Sequence, residues 1–148
     1  MKTSLVRRTY TALPADPRSV SIARTYVTRI LADWGRTALA DDTQLIASEL
    51  LTNAIKATHD AHKPDVLMTY GTSAGYECHP WIGLHQLGDD VVLEVWDCNR
   101  NPPKLRAPES WEVGGRGLQV VNDLATSWGY RWPKTGGKIV WATLAVSP

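Results

Sequence analysis

Apolar residues along this chain switch between strict alternation and a 3,4 spacing, and each switch marks a new element. Residues 4–13, SLVRRTYTAL, alternate and predict an edge strand. ADPRSV then reads as a helix start, with Asp16 as N-cap and Pro17 at the first helical position. Ala23, Tyr26, Val27, Ile30, Leu31 and Trp34 follow on one helical face, and Gly35 ends it. DDTQ opens a second helix, with Asp41 as cap and Gln44 completing a capping box, which runs on through LIASELLTNAIKAT. Its apolar side is Ile46, Ala47, Leu50, Leu51, Ala54 and Ile55, and its polar side carries Ser48, Glu49, Thr52, Asn53 and Lys56.

Residues 59–80 are the least regular, with DVLMTY as a candidate short strand and GTSAGYECHP as a loop. WIGLHQL and VVLEVWD are two strands joined by the turn GDD. CNRNPPKLRAPESWEV, rich in proline and polar residues, reads as a long loop. A third helix comes from GGRGLQVVNDLATSWGY, apolar at Leu118, Val121, Leu124, Ala125 and Trp128 and ended by Gly129. YRWPKTGGKIVWATLAV closes the chain as a hairpin. Long helices with single apolar faces and strands joined by hairpins predict an α+β two-layer sandwich. About three helices would cover one face of a mixed, mostly antiparallel sheet. No repeat or linker divides residues 1–148, so one domain is expected.

Composition narrows the function classes. The chain is 43% apolar and 21% charged, enough for a real core, and its net charge of +1 makes no case for nucleic acid or a membrane surface. No apolar stretch approaches the roughly 18 residues of a membrane span, and the N-terminus holds no apolar core of signal-peptide length. Cys78 and Cys98 suggest no disulfide framework, so the expected compartment is a reducing cytoplasm.

Three stretches carry candidate chemistry. Glu49 and Asn53 lie one turn apart on the polar face of the second helix, where an amide oxygen suits Mg²⁺ and a carboxylate can polarise a hydroxyl. A solvated helix face explains the same pair. Asp97 ends a strand at a loop, a common place both for site residues and for turn-formers. GGRGL puts three glycines in four positions before a helix. Glycine lets backbone approach a ligand, and the N–H groups that follow favour an anion, although a plain turn would look similar.

In this order, ELLTNAIKA (49–57), WDCNRNP (96–102) and GGRGL (114–118) resemble the boxes of the GHKL ATPase superfamily, which shares a Bergerat-type ATP-binding fold. The short loop between the last two boxes and the WATL ending are most similar to the anti-sigma-factor serine kinases and to small stand-alone ATP-binding regulators of actinobacteria. The resemblance implies that Asn53 ligates Mg²⁺, that Glu49 acts as base, and that Asp97 accepts the adenine amino group. It places Asn99 in the adenine pocket, Gly115, Arg116, Gly117 and Leu118 beside the phosphates, and an ATP lid at about 103–113.

The sequence departs from the family pattern at Ala57, where a His is frequent, at Asn99, where Gly or Ser is common, and at 59–79, which reads as an insertion. His59, His62, Cys78 and His79 in that insertion match no strong zinc spacing and read as incidental. The implied function is an ATP·Mg²⁺-dependent serine/threonine protein kinase acting on a sigma factor or an anti-sigma antagonist, possible as a homodimer. The alternatives are a nucleotide-dependent switch without phosphotransfer and a scaffold that has lost ATP binding. A histidine kinase would need a helical dimerisation segment with a phosphoacceptor His upstream, and gyrase or chaperone functions would need further domains.

Overall fold

The computed structural model describes residues 7–61, 78–103 and 117–145. The N-terminal alternation forms the edge strand β1 (Arg8–Ala12). Helix α1 (Ser19–Asp33) buries Ala23, Val27, Ile30 and Leu31, the face its spacing predicts. After a single 3₁₀ turn (Thr37–Leu39), α2 (Ala40–Ala61) buries Ile46, Ala47, Leu50, Leu51, Ala54 and Ile55. Strands β2 (Trp81–Leu87) and β3 (Asp90–Asp97), helix α3 (Gly117–Leu124) and strands β4 (Ser127–Arg131) and β5 (Lys138–Leu144) follow among the described residues.

Among the described residues all four strand pairings are antiparallel and the sheet order is β1-β2-β3-β5-β4, so the chain is the expected α+β sandwich, consistent with a Bergerat fold. The three helices share one face of the sheet. Val91, Leu93 and Val95 of β3 and Val140, Ala142 and Leu144 of β5 turn into a core shared with the helices. Leu31, Ile46, Leu51, Ile82 and Leu84 are fully buried there, each worth about 1.5–3 kcal/mol relative to exposure. Helix α2 lies centrally, packed on α1, α3 and β3, which fixes its polar face relative to the sheet.

Three element boundaries differ from expectation. Helix α1 starts at Ser19 because Asp16 heads a separate turn: its carboxylate accepts the Arg18 backbone N–H at 2.8 Å, and its carbonyl accepts that of Ser19 at 2.9 Å. The Arg18 side chain also bonds that carboxylate, holding its pKa down to about 2. Helix α2 begins at Ala40, straight off the 3₁₀ turn, so Asp41 and Asp42 lie in its first turn, where the helix dipole favours them. Gln44 makes no capping box; its Nε2 donates to Thr28 Oγ1 of α1 at 2.7 Å. Helix α3 stops at Leu124, and Trp128 and Gly129 belong to β4, opposite Ala142 and Trp141 of β5. The indole of Trp128 still packs on the core, which a helical and an alternating period satisfy equally.

The cysteine expectation is overturned. Cys78 and Cys98 form a disulfide with a Cα–Cα separation of 6.3 Å. Trp81 pairs with Trp96 across β2 and β3, so the residues just before β2 and just after β3 leave the sheet at the same end and meet. The cysteines therefore give no support to a reducing compartment. Residues 59–61 of the expected insertion are the last residues of α2, and His59 Nε2 lies 2.9 Å from the Ala15 carbonyl oxygen. DVLMTY, His62 and lid residues 104–113 lie outside the described residues. Among the described residues no group of three His, Cys, Asp or Glu side chains could hold a metal, and no helix is long and apolar enough to cross a membrane.

Candidate functional site

The half-buried polar face of α2 carries Glu49, Asn53 and Ala57 in successive turns, spanning about 12 Å along the helix axis. At one end of this row α3 begins. Gly117, its first residue, is buried so close that a Cβ on it would lie 2.6 Å from Glu49 Oε2 and 3.5 Å from Asn53 Nδ2. Only glycine leaves the Glu49 carboxylate where it stands. Leu118, the next residue, is 4% exposed and turns its side chain into the core, which anchors α3. Gly115 and Arg116 lie outside the described residues.

At the other end of the row stands the turn after β3. Asp97 is 1% exposed. Its Oδ1 accepts the backbone N–H of Asn99 at 2.9 Å and the Nζ of Lys138 at 2.9 Å. The Asn99 side chain donates through Nδ2 to the Ala57 carbonyl of α2 at 3.0 Å, and Lys138 Nζ also donates to the Asn99 carbonyl at 2.9 Å. The two family departures thus meet: Asn99 ties the turn to α2 at Ala57. Burial pushes the Asp97 carboxyl above the ordinary carboxylate range, and Lys138 together with the Asn99 N–H pulls part of that back.

Gly137, just before β5, holds φ +72°, and a Cβ there would overlap the Asp97 carbonyl oxygen and the Trp96 ring. This close approach brings Lys138 beside Asp97, its register partner across β3 and β5. Sequence reasoning passed over Lys138, yet a signal was present. In KIVWATL, alternation puts Lys138 in phase with Val140, Ala142 and Leu144, on the core face, where a lysine needs a partner.

The structure therefore brings together Glu49, Asn53 and Gly117 at one end and Asp97, Asn99 and Lys138 at the other, joined by α2. The family model of the histidine kinase-like ATPase domain matches residues 13–144, spanning every element from α1 to β5. No curated protein matches the sequence. Members of this group, part of the GHKL superfamily, typically bind ATP with Mg²⁺. With that match covering most of its length, the chain belongs to the histidine kinase-like ATPase domain family.

Proposed function

We propose that this protein is an ATP·Mg²⁺-binding regulator of the anti-sigma-factor kinase type, transferring phosphate to a serine or threonine of a small partner protein. One observation carries the reading: a single face of α2 joins the turn of a buried carboxylate, Asp97, to a glycine at the start of a helix. The donor set fits the nucleotide. Gly117 leaves space that a Cβ would fill beside Glu49 and Asn53, and the first N–H groups of α3 suit an anion. Asp97 offers a buried acceptor for the adenine amino group.

ATP supplies the phosphoryl group, and Mg²⁺ screens its charge. Asn53 would hold the Mg²⁺, and Glu49 would take the proton of the incoming hydroxyl. Gly115 and Arg116 would lie with Gly117 at the phosphates, and residues about 103–113 would close over them as a lid on a single domain, 1–148. Such catalysis is mostly positioning and electrostatics. The partner would be a sigma factor or an anti-sigma antagonist, a second copy of the chain would be the dimer partner, and the reaction would run in the cytoplasm. A scaffold that has lost ATP binding is favoured by one observation, the internal pairing of Asp97 with Lys138. Labelled ATP and a panel of antagonist domains separate the two. Phosphate gained by one domain, and lost with Glu49→Gln, supports the kinase; no transfer to any domain rejects it.

A further inference from the structure

Lys138 is buried, with its side chain 5% exposed, and an ammonium is costly to remove from water unless its protons find acceptors. It has three N–H groups to place. Two have acceptors among the described residues, Asp97 Oδ1 and the Asn99 carbonyl oxygen, both at 2.9 Å. On Asp97, the Lys138 and Asn99 bonds both fall on Oδ1. A base that reaches this pair would meet a carboxylate oxygen that accepts, next to an ammonium N–H that donates.

That pattern has a complement. The Watson–Crick edge of adenine presents an amino donor, N6–H, beside a ring acceptor, N1. Guanine presents the reverse order along the same edge, a carbonyl acceptor at O6 beside a ring donor, N1–H. We infer that Lys138 reads the base together with Asp97, donating from Nζ to adenine N1 while Asp97 accepts from N6, so that Lys138 sets adenine above guanine. The inference rests on the nucleotide-binding reading of the site. Lys138 then has two duties, tying the 97–99 turn to β5 and completing the base contact, and only the second depends on an atom of the ligand.

The test is a cycle of calorimetric titrations with ADP, 1-deaza-ADP, in which N1 is replaced by C–H, and GDP. Each is run on the intact protein and on Lys138→Met, with thermal unfolding reporting that the variant is folded. A hydrogen bond from a charged donor should make ADP bind roughly 10- to 150-fold tighter than 1-deaza-ADP in the intact protein. In Lys138→Met the same two ligands should bind within about twofold of each other. A lysine that only props up the turn would weaken both ligands equally and leave their ratio unchanged, which overturns the inference. Equal binding of ADP and 1-deaza-ADP by the intact protein overturns it as well. Should the single variant fail to fold, Asp97→Asn combined with Lys138→Met removes both buried charges, and its ratio is read in the same way. Binding of none of the three by the intact protein would instead reject the nucleotide reading itself, and this inference with it.

Discussion

Asp97 is the residue on which the proposed site depends most, and its burial has consequences of opposite sign for folding and for the proposed binding. Its folded carboxyl holds a proton more tightly than the unfolded one, because burial raises its pKa. Between the ordinary carboxylate value and the raised one the folded state binds more proton, so this group takes stability away as pH rises through that window. In the proposed site ADP binding would need the ionised form, and would weaken as pH falls through the raised value. Titrations from pH 7 downward should show that loss beginning above the ordinary carboxylate range. Affinity flat through that range would show that Asp97 does not meet the base. Gly117→Ala tests the other end: the Cβ would displace the flexible end of Glu49, abolishing phosphotransfer while changing unfolding free energy by less than about 1 kcal/mol. Full transfer in that variant would remove Glu49 from the chemistry. As candidates, Glu49, Asn53 and Asp97 could be picked out because each sits within a short local motif. For Lys138 the alternation of β5 signalled burial, but its partner was hidden, lying 41 residues away across a strand pairing that no local pattern fixes.

Among the elements, the apolar faces of α1 and α2 were legible to the residue, since one-sided burial leaves an unambiguous 3,4 spacing. Boundaries were not. Asp16 and Asp41 both look like caps, yet one heads a turn of its own and the other follows a 3₁₀ turn that carries no sequence signature. The Cys78–Cys98 bond was hidden for a similar reason, as it depends on which end of the β2–β3 pair the chain returns to. The bond closes a loop with a sequence separation of 20, and chain entropy makes that worth about 3 kcal/mol. Scanning calorimetry with a thiol reductant should therefore lower the unfolding temperature by several degrees, and Cys78→Ser with Cys98→Ser should abolish the response. An unfolding temperature indifferent to reductant would mean that the bridge stabilises nothing.

Across the molecule, among the described residues, the helices cover only one face of the sheet. On the other face Glu94, 1% exposed, sits in a cluster with Arg131, which donates to its Oε2, and Tyr10, whose hydroxyl donates to Oε1 at 3.3 Å. His85 Nδ1 lies 2.7 Å from the same oxygen, near enough to pair when protonated but not aligned as a hydrogen bond. The cluster links β1, β2, β3 and β4 across the open face, so it resists separation of the edge strands. Glu94→Gln leaves Arg131 without its counter-ion; as that side chain is 53% exposed, water offsets part of the loss, and urea unfolding should register about 1–2 kcal/mol. No change would show that the open face is held by its apolar contacts alone.

Whether α2 spans a nucleotide between Asp97 and Gly117 is decided by calorimetric titration with ADP and Mg²⁺. The intact protein should bind, and Asp97→Ala should bind roughly 10- to 150-fold more weakly, as expected for a lost hydrogen bond to a charged group. Absence of binding by the intact protein, or equal binding by the variant, would contradict it.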